Sequence, residues 1–275
     1  MAAPTLHYSC HPDPEACGLF AGLGVADVQR VQWHYPSAQS RCGHFWVARG
    51  ADNVIWVADH HDRMAMALMN RVVRYLHPGI GQRIARLIHA YLNRDMIPIP
   101  PGARVINFGA NVGEVAIGLV AMGAWVIAIE PDPNVLPALK ANGRGRPIRV
   151  VPAAAWKEDG PITLYVASKK ADSSVIDVCG EPTTVAGRRI DTLLSEFGAD
   201  HQDVHLLLGD AEGAEPEVLE GATETLKRTR YVSLRVSPER HGKSSVDLCE
   251  PLLRAAGFDI LYNANETLIG RNQAL

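Results

Sequence analysis

The sequence predicts an α/β fold built on a mainly parallel sheet, and three observations carry that expectation. From Ala103 onward, short apolar runs alternate with stretches of helical spacing. Those runs are continuously apolar rather than alternating, which marks strands covered on both faces. A glycine-bearing turn from Gly109 to Gly113 follows the first of them, where open α/β sheets bind ligands.

The N-terminal part, up to Pro98–Pro101, has a different character, with nine arginines and no lysine. Phe45 to Asp59 reads as two short strands joined at Gly50-Ala51-Asp52-Asn53, a hairpin. A helical stretch is expected from about Asp62, with Met66, Met69, Val73 and Leu76 at steps of three and four. It breaks at His77-Pro78-Gly79 and resumes through Ile84, Leu87, Ile88, Tyr91 and Leu92. Arg63, Arg71, Arg74, Arg83, Arg86 and Arg94 decorate these helices, either as a solvated face or as a basic rim over an anionic substrate.

Next come a strand over RVINFG, a helix over Asn111 to Met122, a strand from Trp125 to Glu130, a helix near Asn134 to Ala141, and a strand from Ile148 to Val151. Ile162 to Ala167 and the TTVAGRRID segment read as an inserted hairpin. The alternation resumes with a helix at 190–197, strand His205 to Leu208, a helix at 215–227, strand Tyr231 to Val236 and a helix at 245–256. Two strands, FDILY and ETLIG, close the chain.

Composition bounds the function. A chain of 275 residues, 47% hydrophobic and 21% charged, is ordinary for a globular protein. Its length fits two units of about 150 residues or one α/β domain with an N-terminal appendage. A formal net charge of −3 argues against a nucleic-acid binder. The 15 uncharged residues from Val115 to Ile129 fall short of the roughly 18 that a membrane-spanning helix needs. No secretory signal is visible at MAAPTLHYSC, so a cytoplasmic protein with no membrane partner is expected. Cys10, Cys17, Cys42, Cys179 and Cys249 form no C-x-x-C pair. His7, His11, His34 and His44 share the first fifty residues with three of them, but the spacing matches no zinc pattern, and no metal is expected.

The strand–turn–helix at Val105 to Glu114 is the most informative segment. Gly109 permits a tight turn and Gly113 a close approach of the helix to the sheet. Glu130, twenty-one residues beyond Gly109 at the end of the second strand, is placed to accept both hydroxyls of a ribose. A nicotinamide oxidoreductase and an S-adenosylmethionine (SAM) methyltransferase both fit. A dinucleotide turn wants glycine at the middle position, so that backbone amides reach the pyrophosphate. Here that position is Asn111, which favours a cofactor without phosphate.

The motifs NFGANVG, AIEPDPNVLPALKAN, PAAAWKEDGPITLYV and GDAEGAEPEVLEGA, in that order from about Arg104 to Val236, resemble the FkbM-type methyltransferases. The resemblance implies a Rossmann-like class I methyltransferase fold with a mainly parallel seven-stranded sheet, to which the N-terminal hairpin and helices read above add a cap. The chain is thus expected to divide into a cap (1–101) that covers the acceptor and an S-adenosylmethionine-binding domain (102–275). The resemblance also implies O-methylation of a sugar or natural-product hydroxyl. By the same resemblance, Asn107, Gly109, Ala110, Asn111, Gly113 and Glu114 hold the methionine end of the cofactor. Glu130 takes the ribose, Pro131 and Asp132 shape the adenosine wall, and Ala154 lies near the adenine.

Methyl transfer to a hydroxyl needs alignment and removal of one proton. Asp210 and Glu212, leaving the fourth strand together, are the candidates for that work. The alternative is that one of them only caps the helix beginning near Glu215. His241, in the loop SPERHGK, is a second candidate base or else a solvated loop residue. His205, inside an apolar strand, reads as a hydrogen-bonded core or edge residue. Three positions depart from the family pattern: Asn107 and Leu208 stand where an acid and a lysine are usual, and Arg235 where a glutamate is. Arg235, with Arg188, Arg189 and the N-terminal arginines, points to an anionic small-molecule or glycan acceptor. The same departures leave open a methyltransferase-like binding protein without catalysis.

Overall fold

The computed structural model describes residues 5–9, 18–34, 42–50, 54–59, 64–69, 79–93, 96–167, 173–176 and 180–275. The N-terminal strands β1 (Thr5–Ser9), β2 (Ala26–His34), β3 (Cys42–Arg49), β4 (Ile55–Asp59) and β5 (Ala65–Leu68) form one antiparallel sheet in that order. The β3–β4 hairpin is the one the sequence predicts. The helix expected around Met66 is instead strand β5, paired with Ile55–Ala58, and Met69 lies in a bend beyond it. Periodicity cannot separate helix from strand over four apolar residues. Here the ladder to β4 and the burial of Met66, Ala67 and Leu68 decide for strand. Asp62, Val73, Leu76, Pro78, Arg63, Arg71, Arg74 and Arg94 lie outside the described residues, as do Cys10, Cys17 and Cys179. Among its described residues the N-terminal part thus carries a five-stranded sheet that includes the expected hairpin, helical residues at 18–19 and one longer helix.

That helix, α1 (Ile80–Leu92), starts where the buried Asp59 carboxylate accepts the Ile80 N–H at 2.7 Å. Negative charge at a helix start also complements its dipole. Its apolar residues pack on the main sheet and on α2 (Glu114–Ala121).

The main sheet has the order β14 (Phe258–Ala264), β15 (Thr267–Asn272), β13 (Thr229–Arg235), β12 (Val204–Gly209), β6 (Arg104–Phe108), β7 (Trp125–Ile129), β8 (Ile148–Val151). All neighbours from β13 to β8 are parallel, and β15 runs antiparallel to β13 and β14. The chain therefore leaves β6 in one direction toward β7 and β8 and returns on its other side with β12. Carboxyl ends of strands at such a reversal flank a natural crevice. Helices α3 (Leu136–Gly143), α4 (Ile190–Glu196), α5 (Glu215–Glu220), α6 (Thr223–Leu226) and α7 (Val246–Ala255) follow along the chain. A three-stranded excursion of β9 (Ala154–Ala155), β10 (Gly160–Val166) and β11 (Glu181–Arg188) contains the expected hairpin.

Two helix expectations need correction. The helix read from Asn111 begins at Glu114, because Asn111 and Gly113 take the left-handed conformation, at φ 52° and 91°. The helix read over 215–227 is two, broken at Gly221, where a Cβ would collide with the Trp156 carbonyl oxygen.

Cap and main sheet share a core. Trp46, Met66, Leu68 and Ile80 are buried in one apolar cluster with Val112, Ile117, Val135 and Ala138. Each large side chain so buried contributes about 1.5–3 kcal/mol. Asn142, 1% exposed at the end of α3, fastens the junction. Its Oδ1 accepts the Ala67 N–H at 2.8 Å, while its Nδ2 donates to Ala67 O at 2.8 Å and to Val112 O at 2.7 Å. Among the described residues no helix is long and apolar enough to cross a membrane.

Candidate active site

A cavity of about 500 Å³ opens at the carboxyl ends of β6, β7 and β12, beside the point where strand order reverses. Gly109, after β6, sits back to back with Asp210, after β12. A Cβ at Gly109 would collide with the Asp210 carbonyl oxygen, and its φ of 58° also favours glycine. These two turns form the floor of the cleft.

Of the residues that the sequence reading assigns to a cofactor, Asn107, Gly109, Ala110, Asn111, Glu114, Glu130, Pro131, Asp132 and Ala154 all line this cavity. Gly113 does not. Its missing side chain makes room for Leu139 of α3, so its role is packing. Asp210 and Glu212 line the cavity, whereas His241 sits on an exposed turn and is not among the lining residues. His205 also stays out: its Nε2 is 2.6 Å from the Pro98 carbonyl oxygen and its ring packs by Tyr231.

Glu130 is buried, and its oxygens accept the Asn111 N–H at 2.7 Å and the Asp132 N–H at 2.9 Å. Loss of water around it raises its pKa to about 7, more than the two amide bonds lower it. A carboxylate offers about four lone-pair directions, so acceptor capacity remains for a ligand. Asn107 is 2% exposed. Its Nδ2 donates to Phe108 O at 3.2 Å, and its buried Oδ1 has no partner among the described residues.

Asp210 stands beside Glu212 and Glu239, with carboxylate oxygens of the three within 4.8 Å of one another. Burial, then the charges of Glu239 and Glu215, push the Asp210 pKa up to about 7. Ala214, the residue at the start of α5, makes no side-chain cap. Glu215 Oε1 accepts the Ala211 and Gly213 N–H groups at 2.8 and 3.2 Å, and Asp210 Oδ1 accepts the Glu212 N–H at 3.4 Å while the carboxylate lines the cavity.

The reading of the sequence missed the cavity's roof. Arg83, Leu87 and Tyr91, at successive four-residue steps of α1, all line it. Their spacing was visible, but on its own it marks any buried helix face. Burial, followed by the Asp210 charge, raises the Tyr91 phenol well above its usual range. Ser233 Oγ donates to the Tyr91 carbonyl at 2.6 Å, tying α1 to the sheet. The β10–β11 excursion supplies a further wall: Leu164, Ser173 and Val175 line the cavity, and Ser173 Oγ donates to Asp132 at 2.7 Å.

Of the three departures from the family pattern, Leu208 is fully buried in the apolar core and does not reach the cavity. Arg235 does, but it is held by Glu266 at 3.0 Å, Thr267 Oγ1 at 3.0 Å and the Asn265 carbonyl at 3.2 Å. Arg188 pairs with Asp159 and Glu196, and Arg189 with Asp191, all outside the cavity. The lining carries seven carboxylates and two guanidiniums, Arg83 and Arg235, the former bonded to Glu114 at 2.9 Å. The cavity lining is therefore predominantly acidic.

The fold is an α/β sheet with an acidic crevice at its reversal point. The methyltransferase FkbM domain matches residues 107–260, and the chain belongs to that family. The match leaves no place for the nicotinamide oxidoreductase. The chain is 26% identical over 160 residues to the 2-O-methyltransferase NoeI of Sinorhizobium fredii, covering 50% of this chain and 65% of that protein. It is 26% identical over 227 residues to the AMB antimetabolite synthetase AmbE of Pseudomonas aeruginosa, covering 66% of this chain and 11% of that one. The match thus spans less than two thirds of either relative. Among solved structures it is similar to the magnesium protoporphyrin IX methyltransferase of Synechocystis with bound SAM. That similarity has 12% identity and a TM-score of 0.42, over 75% of this chain and 86% of that one.

Proposed function

We propose that the protein transfers a methyl group from SAM to a hydroxyl of a sugar or natural product. The observation that carries this reading is the convergence of Asn107, Glu130 and Asp210 on one cavity at the strand reversal. The orphaned Asn107 Oδ1 fits an ammonium donor, and the spare lone pairs of Glu130 fit ribose hydroxyls. Bare backbone at Gly109 lets the ligand lie close to the chain, and Pro131, Asp132 and Ala154 offer a wall for the adenosine.

Bound SAM supplies a methyl group already activated on a sulfonium. The protein must then align the acceptor and accept its proton. Asp210 does the latter, because it faces the cavity and its high proton affinity suits a base near neutral pH. The cap, residues 1–101, covers the acceptor through Arg83, Leu87 and Tyr91 of α1. With seven carboxylates in the lining, the acceptor is an uncharged polyol-like molecule rather than an anion. The similarity to NoeI, a 2-O-methyltransferase, supports oxygen as the target atom.

Calorimetric titration with SAM tests the reading, followed by mass spectrometry of candidate glycans and metabolites incubated with both. Binding with a gain of one methyl group on an acceptor oxygen is expected. Glu130→Ala should weaken SAM binding by about 2–3 kcal/mol, through lost charge-assisted hydrogen bonds, while the fold persists. No binding by the unaltered protein sinks the proposal. Binding without transfer to any acceptor favours the second reading, a non-catalytic binding protein, which Arg235 in the cleft supports.

A further inference from the structure

We infer that Asp210 is switched by the charge of its ligand, losing its proton when a sulfonium enters the cleft and holding one again once that charge is gone. The inference rests on the proposed function and goes beyond it, because it makes the methyl donor the trigger that creates the base.

The geometry begins with the acidic cluster. Oxygens of Asp210, Glu212 and Glu239 lie within 4.8 Å of one another in a cavity closed by α1 and the β10–β11 excursion. The groups that face Asp210 come from every neighbouring element. They are Glu239 from the loop after β13, Glu212 from its own loop, Glu215 from α5, Tyr91 from α1 and Arg235 from the end of β13. Three carboxylates thus oppose one guanidinium, whose charge is already shared with Glu266. Carboxylates this close and partly buried do not all ionise together, and near neutral pH Asp210 is protonated part of the time until positive charge arrives. An adjacent cation lowers a carboxyl pKa by about 1–3 units. A donor carrying a sulfonium therefore strips the proton from Asp210, whereas the neutral thioether product does not.

The reaction closes the cycle. Asp210 takes the acceptor's hydroxyl proton as the bond from that oxygen to the methyl carbon forms. The electron pair of the broken carbon–sulfur bond stays on sulfur. One positive charge disappears from the cleft as one carboxylate is neutralised, so Asp210 gains proton affinity at the moment it needs it. The base is thereby ready only with an unspent donor in place.

Proton counting tests this without an acceptor. The whole chain is titrated with SAM, and separately with S-adenosylhomocysteine, in two buffers of different ionisation enthalpy with a chelator present. SAM should release roughly half a proton more than S-adenosylhomocysteine at pH 7. The excess should be largest near pH 6 and vanish above about pH 8. Asp210→Asn should abolish it, and Glu239→Gln, which removes a neighbouring charge, should move its window to lower pH. Equal proton counts for the two nucleotides, or an excess that survives Asp210→Asn, overturn the inference. The comparison within the unaltered protein stands even if a variant fails to fold. Failure of both nucleotides to bind is a separate result, and it removes the proposed function as well.

Discussion

Two buried asparagines show how differently this chain treats polarity in its two halves. Asn142, at the junction of cap and main sheet, spends both ends of its amide on Ala67 and Val112 and leaves nothing unmatched. Asn107, at the cleft, is as deeply buried, yet its Oδ1 meets no protein partner among the described residues. A buried amide normally finds its partners within the fold. The contrast teaches that the junction is built to be finished by folding, and the cleft to be finished by a ligand. The same division holds for charge: Asp59 is consumed in starting α1, while Glu130 and Asp210 are held near neutrality at the cavity.

The largest effect should come from the junction. Asn142→Leu keeps the volume but strands the Ala67 N–H, the Ala67 carbonyl and the Val112 carbonyl, at about 1–3 kcal/mol each before relaxation. A net loss of about 4 kcal/mol in urea unfolding is expected. A loss below about 1 kcal/mol would show that water or backbone shift replaces the amide and would erase the contrast.

Titration of the cleft comes next. Asp210 and Glu130 hold protons up to about pH 7 in the folded chain, against about 4 unfolded. Their stabilisation of the ligand-free protein is therefore complete below about pH 4 and is lost as pH rises through about 7. Asp210→Asn, free of that titration, should be more stable than the unaltered chain by about 2 kcal/mol at pH 8 and equal to it at pH 4. Thermal melts across this range decide the matter, and a variant less stable at pH 8 would place Asp210 with the structural groups.

The smallest effect sharpens the comparison most. Asn107→Leu removes an atom that the fold leaves unmatched, so stability should change by less than about 1 kcal/mol. SAM affinity should still fall, by about 1 kcal/mol, for want of the ammonium's acceptor. Calorimetry and unfolding on the same preparation separate the two, and a stability loss like that of Asn142→Leu would make the two asparagines alike.

What could be read from the sequence was local. The turn at Gly109, the helix after it and Glu130 at the second strand's end lie within one supersecondary unit, where spacing dictates position. Two groups that complete the site come from elsewhere. Tyr91 belongs to a helix whose apolar spacing looks like any core face, and Glu239 to a loop whose course depends on β13. Asn142, inside KANGRG, reads as an ordinary helix end, and its partner Ala67 lies 75 residues away. Met66 was misread for a related reason, since only the ladder to β4 tells a four-residue strand from a helical turn. His241 reads as a candidate base, or else a solvated residue, from its place in the loop after the fifth strand; it sits on an exposed turn and is not among the residues lining the cavity.

The amide of Asn142 grips β5 by the main chain alone. A backbone N–H and C=O are the same for every residue except proline, so the grip is indifferent to which side chain stands at position 67. Met66, Ala67 and Leu68 are themselves buried, so it is the packing of β5, and not the amide, that restricts which side chains the strand can carry. Through the Val112 carbonyl the same amide also touches the segment that follows the Gly109 turn. One side chain thus pins the N-terminal sheet by its backbone to the turn that lines the cleft.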